Sequence, residues 1–348
     1  MRTTVRIILA LACMLAAGYA GAWSAPGHML VGQIADARLA STNAGAKVKA
    51  LLTDAAGSTD YEGTLQDAAP WPDCAKAVVP GPNNTFIIPA HPHYIAAVCD
   101  MYLKDSGRAQ EMINYVSQNY NNCEYSGTHA NCDKAFHFAD IPYQKKKYAD
   151  DLAGATNADV VHAIYAAIAV LRGQPAPAPF NLGMDQKQAL RLLVHFIGDL
   201  HQPLHVGSVY LDPKGKVLIP TPADLDPETS TVGGNELIMG SEELHSQWDE
   251  ISATLSQPAS VKAMVAEAAK LPALSGAPED AIAGWASETV VAAGQAFKGL
   301  KFGKHGSKGW PITFTDRKTY DTNKAKVQRQ QIIKGGERLA QVLQAIWP

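Results

Sequence analysis

The stretch Leu192-Leu193-Val194-His195-Phe196-Ile197-Gly198-Asp199-Leu200-His201-Gln202-Pro203-Leu204-His205 places three histidines and an aspartate in an otherwise apolar run. His195 and Asp199 are four residues apart, so on a helix their side chains share one face. Pro203 cannot continue such a helix, and it predicts a bend after Asp199 that brings His205 toward the same side. Imidazole and carboxylate ligands without cysteine are typical of catalytic zinc sites. The stretch therefore predicts a metal site on a helix over 185–200. The alternative is a buried helix whose polar groups only pair with one another.

Other segments offer the same ligand types. His245 and Asp249 repeat the His-x-x-x-Asp spacing and also share a helical face. Asp73 lies between two prolines and a cysteine, His137 is central in a short aromatic segment, and His28 stands at the opening of a predicted helix over 29–39. One metal ion does not need so many ligands, so the sequence favours a polynuclear zinc site.

The composition fits a large globular chain. It has 348 residues, of which 47% are hydrophobic, with a formal charge of −3, and this length can bury a sizeable core. Helical periodicity also predicts helices over 41–52, 106–120 and 159–171, and helices broken by loops from 258 to 348. A β-hairpin is predicted within 206–235. The expected fold is mainly α-helical, a single domain with a small β-hairpin, and no Gly-rich phosphate loop is present.

The N-terminus has the pattern of a secretory signal peptide. Arg2 and Arg6 precede an apolar run over 7–17 that is too short to span a bilayer, and Ala20-Gly21-Ala22 forms a cleavage site. Residues 1–22 are therefore predicted to be removed, leaving Trp23 first in a secreted or periplasmic protein with a charge of −5. A lipoprotein is the alternative, but the motif ending at Cys13 is a poor lipobox.

Four cysteines follow Cys13, and an even number in an exported chain predicts two disulfides. Three pairings are possible. Cys123 and Cys132 bracket a polar loop and are the favoured local pair, which leaves Cys74 with Cys99. The spacings match no zinc module, which argues against the alternative of a cysteine metal site.

These motifs together resemble the zinc-dependent single-strand nucleases of the S-one/P-one type. The resemblance rests on Trp23 with Gly-His five residues on, Trp-x-Asp, His-Phe-x-Asp, His-Phe-Ile-Gly-Asp with Gln-Pro-Leu-His, Gly-Gly-Asn, and His-Ser-x-Trp-Asp. It covers nearly the whole chain after the signal peptide. A helical fold related to zinc phospholipase C is what it implies.

The resemblance implies three Zn²⁺ ions. The first ion would be held by Asp73, His137, His195 and Asp199. The second would be held by the amine and carbonyl of Trp23, by His28, and by Asp199, which would bridge the two ions. The third would be held by His205, His245 and Asp249.

The resemblance also implies substrate contacts. Lys76 would hold a phosphate, although an ordinary surface lysine is the alternative. Phe138 would stack on a nucleobase, and Asp140 with Asn235 would hydrogen-bond the edge of the base. Core packing is the alternative for Phe138.

The implied activity is endonucleolytic hydrolysis of RNA and single-stranded DNA to 5′-phosphate products, with 3′-nucleotidase activity. Its substrates would be single-stranded DNA, RNA and 3′-nucleotides, acted on by a monomer without stable membrane association. Zinc phospholipase C is the rival enzyme, although its last motif typically ends in Glu where this chain has Asp249. A non-catalytic exported zinc-binding protein is the other alternative.

Two features depart from that family. Between Asp73 and His137 lie 63 residues, several times more than in the fungal members, so the fungal disulfide pattern cannot be transferred. The acidic charge is unusual for a nucleic-acid enzyme. Three dications would offset it locally, and substrate attraction would then be local rather than global.

Overall fold

The computed structural model describes residues 23–53, 62–90, 92, 97–123, 131–183 and 185–348. The predicted signal peptide and Cys13 lie outside these residues. Helices dominate, as the sequence predicts. Their bounds are α1 (Ala25–Leu39), α2 (Asn43–Leu52), α3 (Leu65–Ala68), α4 (Trp71–Ala75), α5 (Asp100–Leu103), α6 (Ser106–Gln118), α7 (Cys132–Ala135), α8 (Val160–Leu171), α9 (Gln186–Leu200), α10 (Pro203–Val206), α11 (Leu244–Asp249), α12 (Pro258–Ala268), α13 (Pro278–Phe297) and α14 (Arg317–Ile346).

Helix α9 is the predicted central helix. Asp185 caps it by accepting a hydrogen bond from the Gln188 amide, which satisfies one of the unpaired N–H groups of the first turn. Every residue from Gln188 to Leu200 is buried, because α8, α14 and α1 pack around α9. The chain then bends, and Pro203 begins α10 in the first-turn position that proline favours. The polar residues of α9 therefore lie in the protein interior.

Helix α1 begins earlier than the sequence suggested. Pro26 lies in its first turn, where its fixed φ favours helix initiation. His28 therefore falls inside the first turn, at a fixed orientation, rather than ahead of it. Helix α1 packs against α14 and α3, and Gly336 of α14 allows close approach, since an added Cβ would lie 2.5 Å from the Cβ of Ile34.

Short strands are more numerous than predicted. They are β1 (Val79–Pro80), β2 (Phe86–Ile87), β3 (Ile141–Pro142), β4 (Gly207–Ser208), β5 (Tyr210–Leu211), β6 (Val217–Leu218), β7 (Leu237–Met239), β8 (Glu242–Glu243), β9 (Leu300–Phe302) and β10 (Trp310–Phe314). Strands β5 and β6 form the predicted hairpin.

A four-stranded sheet of order β8-β7-β10-β9 was not predicted. Its β9 and β10 lie in the segment read as helices broken by loops. Strand β10 is parallel to β7 and antiparallel to β9. Apart from the main core around α9, a smaller hydrophobic cluster includes Trp310 of this sheet together with Trp248 and Tyr320. The strands are too short for their alternation to be visible in the sequence, and long-range pairing decides them.

The two favoured disulfides are present. Cys74 is bonded to Cys99 and Cys123 to Cys132. The first bond ties the short helix that carries Asp73 to the start of α5. No helix among the described residues is both long and apolar enough to cross a bilayer.

A buried ion pair fixes the segments around α9. Arg191, one turn before His195, donates hydrogen bonds from Nε to both carboxylate oxygens of Glu62 at 3.1 Å. Its Nη1 donates to Glu111 at 2.6 Å, and its guanidinium lies 5.2 Å from the Trp71 ring centroid. Arg191 and Glu62 are both buried. One side chain thus joins α9 to α6, to α4 and to the segment before α3.

We expect Arg191→Met to lower the free energy of unfolding by about 3–5 kcal/mol, because Glu62 would keep a buried charge that Lys187, 4.0 Å away, compensates only in part. Urea denaturation followed by circular dichroism measures this. Glu111→Gln is the matched control, since the Glu111 side chain is 45% exposed and its loss should cost less than about 1 kcal/mol. Equal losses in both variants would contradict the assignment.

Candidate metal centre

Three groups of histidine and aspartate side chains converge beside α9. In each group the ligand atoms lie within 4.8 Å of one another. The groups are His28 with His195 and Asp199, Asp73 with His137 and His195, and His205 with His245 and Asp249. All eight predicted side-chain ligands are therefore brought together.

The Asp73 group contains four close ligand atoms. His137 Nδ1 and His195 Nε2 are 3.1 Å apart, and Asp73 Oδ1 lies 3.5 Å from His195 Nε2 and 3.9 Å from His137 Nδ1. Asp199 Oδ2 completes the set, at 3.0 Å from His137 and 3.3 Å from His195. Ligand atoms held about 2.0–2.1 Å from a tetrahedral Zn²⁺ are themselves about 3.3–3.4 Å apart. The spacing of this group therefore fits one ion.

Asp199 points its two oxygens to different partners. Oδ2 faces the Asp73 group, while Oδ1 lies 3.3 Å from His28 Nε2 and 3.6 Å from His205 Nδ1. His28 stacks on His195 with ring centroids 3.7 Å apart. This carboxylate is therefore positioned to be shared between two cations.

The His205 group lies on the other side of Asp199. His245 Nε2 is 3.1 Å from His205 Nε2 and 3.4 Å from Asp249 Oδ2. His245 and Asp249 share one face of α11, as their spacing predicts, and α10 supplies His205 immediately after the bend.

Hydrogen bonds to backbone carbonyls orient three of the imidazoles. Nδ1 of His195 bonds the Ala69 carbonyl at 2.7 Å, that of His205 bonds the His137 carbonyl at 2.8 Å, and that of His245 bonds the Gly233 carbonyl at 2.8 Å. Since a carbonyl only accepts, Nδ1 of each ring carries a proton, and Nε2 is the atom that faces the other ligands. Such bonds are typical of metal-ligating histidines.

Burial keeps most of these imidazoles neutral. It lowers the pKa of His137 to about 3, with the charge of Lys76 adding to the effect. It also lowers the pKa of His205 to about 3, that of His245 to about 4, and that of His28 below its ordinary value. Neutral imidazoles near neutral pH offer lone pairs to a cation, which is the form that binds metal.

The buried carboxylates require positive charge. Burial would raise the pKa of Asp199, but His195 and His205 hold it well below its usual range. Burial lowers the pKa of His195, but the negative charges of Asp199 and Asp73 raise it by more. The net result is a pKa of about 9. Burial raises the pKa of Asp249 well above its usual value. The positive charge that favours ionised Asp199 therefore comes from its histidine neighbours.

Unpaired buried atoms provide a direct test of whether a cation fits. Among the described residues, neither ring nitrogen of His28 makes a hydrogen bond, nor does Asp199 Oδ1. Buried polar atoms normally have partners because leaving them unpaired costs about 1–3 kcal/mol each. Nε2 of His28 and Oδ1 of Asp199 are metal-binding atoms that face each other at 3.3 Å without a hydrogen bond, which fits a cation bound by both.

Trp23 and Lys76 lie beside the ligands. Trp23 is fully buried, and its indole donates a hydrogen bond to the Gly198 carbonyl at 2.9 Å. The next amide, of Ser24, donates to the Asp249 carbonyl. Lys76 Nζ bonds Asp73 Oδ1 at 2.6 Å and stays partly exposed. These contacts hold Trp23 between α9 and α11, the helices that carry Asp199 and Asp249, and Lys76 puts a positive charge at the edge of the centre.

The predicted base-binding residues lie beside the His205 group, since the Ala139 amide donates to the His205 carbonyl at 2.7 Å. Burial raises the pKa of Asp140 to about 7, against hydrogen bonds from the Gly233 amide and Ser208. Asn235 donates from Nδ2 to the Val232 carbonyl, and its Oδ1 is buried without a partner among the described residues. Phe138 is half-buried. Asp140 therefore contacts the loop that leads to Asn235.

Two residues in the quoted stretch have roles that the sequence reading missed. Gln202 donates from Nε2 to Asp249 Oδ1 at 2.6 Å, which leaves Oδ2 of Asp249 facing His245 in the His205 group. Only glycine fits at position 198, because a Cβ there would lie 2.6 Å from His28 Nδ1. The only sequence signals were a glycine inside a helical pattern and a glutamine at the bend.

Comparison with protein-family models places the chain among known sequences. The model of the family described as S1/P1 Nuclease matches residues 23–348. No significant match was found among the curated proteins.

Gly198→Ala should disrupt this centre although alanine favours helices. The new methyl group would meet the His28 ring, which cannot retreat because it stacks on His195. We expect the affinity for Zn²⁺ to fall about 10–100-fold, as for other changes behind metal ligands. Titration against a chelating indicator measures it.

Gly284→Ala is the matched control, because its added Cβ would have nothing within 4 Å and the site is exposed on α13. It should leave zinc affinity unchanged and stabilise the protein by up to about 1 kcal/mol. Undiminished zinc affinity in a folded Gly198→Ala protein would refute the steric argument.

Proposed function

The chain belongs to the S1/P1 nuclease family, and from this we propose that it is a zinc-dependent endonuclease that cuts RNA and single-stranded DNA to 5′-phosphate products and also removes 3′-phosphates from nucleotides. The family assignment supports hydrolysis of nucleic acids. The zinc, its count of three and the choice of substrate are the parts that we add. The proposal assigns the whole of 23–348 to one catalytic domain.

The observation that carries the proposal is the shared carboxylate of Asp199. Its oxygens face the Asp73 group and His28 at 3.0–3.3 Å, so the chain offers two adjoining cation sites with one bridging ligand. The His205 group offers a third. We assign these groups to three Zn²⁺ ions, with the amine and carbonyl of Trp23 completing the second site.

In this assignment the protein supplies orientation and charge. Bound zinc would lower the pKa of water and withdraw negative charge from the phosphate. Asp199 would fix the attacking water between its partners. Lys76, which pairs with Asp73 at the edge of the centre, would turn to a non-bridging phosphate oxygen. Burial of the ligands excludes bulk water, which strengthens each of these electrostatic contacts.

The substrate assignment rests on three residues beside the His205 group. Phe138 would stack on a base, a contact that is indifferent to base identity, while Asp140 and the unpartnered Oδ1 of Asn235 would bond the base edge. A base can enter such a pocket only when it is unstacked, so single strands are favoured.

We further propose that the protein is exported and acts as a monomer, starting at Trp23 and without stable membrane association. Two disulfides and a charge pattern typical of a signal peptide support export. A retained residue before Trp23 would displace the amine from the second site.

The deciding experiment combines metal analysis with four substrates. Protein purified without chelator should contain three zinc ions per chain by mass spectrometry. It should cleave single-stranded DNA and RNA and dephosphorylate a 3′-nucleotide, but leave phosphatidylcholine intact. Hydrolysis of phosphatidylcholine alone would identify a phospholipase, and zinc without any hydrolysis would identify a binding protein.

Replacement of the shared ligand should be more damaging than replacement of an outer one. We expect Asp199→Asn to abolish cleavage, because it weakens two cation sites and the position of the water, while His205→Ala affects only the third site and keeps a measurable rate. Initial rates and zinc content of both folded variants decide this. Comparable residual rates, or equal zinc loss, would contradict the bridging role.

Strand selection tests the base pocket. Unstacking a paired base costs roughly a few kcal/mol, and about 1.4 kcal/mol is tenfold in rate, so duplex DNA should be cut at least tens of times more slowly than the same single strand. Phe138→Ala should weaken single-strand binding by about 1–3 kcal/mol with zinc content unchanged. Equal rates on the two forms would remove the pocket from the proposal.

A further inference from the structure

Two neighbouring turns carry a concentration of lysines that the catalytic proposal does not use. The segment 298–311 contains four lysines and no acidic residue, and 213–220 contains two lysines and no acidic residue. We define the lysine patch as five side chains, all exposed: Lys214, Lys216, Lys301, Lys304 and Lys308. The lysine patch is therefore a positively charged surface on a protein whose net charge is negative.

Tertiary contacts hold the two turns together. The His305 amide donates to the Pro213 carbonyl at 2.9 Å. A Cβ on Gly215 would lie 2.4 Å from the Gly303 carbonyl oxygen, so the turn between β5 and β6 rests directly on the loop between β9 and β10. The buried Trp310 also joins the two turns, because its indole donates to the Asp212 carbonyl at 2.8 Å.

Nearby acids offset only part of this charge. Asp212 lies beside Lys214 and Lys216. The hydrogen bond from the Lys216 amide is the largest cause of its lowered pKa, and the charges of the two lysines add to it. Glu236 lies 3.8 Å from His305. Five lysines against two carboxylates leave an excess positive charge, which is the electrostatic requirement for binding a polyanion.

A backbone hydrogen bond links the loop of the lysine patch to the segment that carries Asn235. The Trp310 amide donates to the Glu236 carbonyl at 2.7 Å, and Glu236 directly follows Asn235 of the proposed base pocket. The loop containing Lys304 and Lys308 is therefore anchored to the same segment that faces the metal centre.

From this placement we infer that the lysine patch is an exosite for the phosphodiester backbone of a single-stranded nucleic acid, outside the cleaved linkage. The inference rests on the proposed nuclease function and adds a determinant of substrate length. Lysine contacts to phosphates are independent of sequence. A strand long enough to reach the patch therefore gains affinity, and a dinucleotide gains none.

An anionic membrane is the competing partner, because Val217 and Ile219 of the same hairpin are exposed, at 38% and 53%. The direct connection to Glu236 and Asn235 favours nucleic acid. Binding to vesicles is therefore measured alongside, as an outcome that decides against the inference.

The test compares two triple variants with the same charge change. Lys214→Gln/Lys304→Gln/Lys308→Gln neutralises the patch. Lys49→Gln/Lys262→Gln/Lys270→Gln is the matched control. Its three lysines are also exposed, but Lys49 lies on α2, Lys262 lies on α12, and Lys270 follows shortly after the end of α12. The side chain of Asn43, at the start of α2, donates to the carbonyl of Pro348.

Each protein is tested for binding to a phosphorothioate single strand of about 20 nucleotides, which resists hydrolysis, and for cleavage of the ordinary strand and of a dinucleotide. The patch variant should bind the long strand on the order of tenfold more weakly, with a salt dependence shallower by about 2 in log–log slope. Its KM for the long strand should rise, while kcat/KM for the dinucleotide should match that of the unmodified protein and of the control.

Equal loss in the control would mean that total charge, not the patch, attracts the strand. Unchanged long-strand binding in the patch variant would overturn the inference. The same conclusion would follow if the patch variant lost only its binding to vesicles that contain phosphatidylglycerol. If the unmodified protein cuts no nucleic acid, the proposed function fails, but the binding measurement still decides whether the patch holds a single strand.

Discussion

Burial of ionisable ligands in the interior is the constraint on which the rest of the structure depends. Asp199 and the five predicted ligand histidines are all buried, and a buried charge is tolerated only when it is paired. The structure meets this demand in part through hydrogen bonds to carbonyls and through the pairing of Asp199 with His137 and His195. Among the described residues, however, the ring nitrogens of His28 and Oδ1 of Asp199 make no hydrogen bond. A cation is the simplest group that would satisfy all of them at once.

The surrounding helices are arranged to hold these ligands still. Carbonyls from three different segments fix the ring orientations, and Gln202 holds Asp249 while it caps α10. Arg191 joins α9 to α4, the helix that carries Asp73, through Trp71. Metal centres need ligands fixed to within a fraction of an ångström. Here that precision comes from buried polar contacts between helices rather than from the helices alone.

Charge is divided between the interior and one surface. The candidate centre concentrates carboxylates, which a polyanionic substrate would avoid without cations. The lysine patch places positive charge on the turn between β5 and β6 and on β9 with the loop that follows it, segments that supply none of the predicted ligands. An acidic protein can therefore attract a polyanion locally, since screening limits the influence of distant charges to about 10 Å.

The sequence by itself determined what local spacing can encode. It predicted the helical class, the shared faces of His195 with Asp199 and of His245 with Asp249, and the bend at Pro203, because helical periodicity and proline geometry act over a few residues. It also favoured the disulfide between Cys123 and Cys132, which is a local pair. The ligand set as a whole came from resemblance to a family rather than from spacing.

Only the tertiary structure decided which distant segments meet. Asp73 and His137 are separated from α9 by long stretches of chain, and no periodicity records that packing brings them to one carboxylate. The parallel pairing of β7 with β10, the clash that excludes a side chain at Gly198, and the meeting of two lysine turns are likewise non-local. Each depends on burial and close approach between elements, which a sequence specifies only through the complete fold.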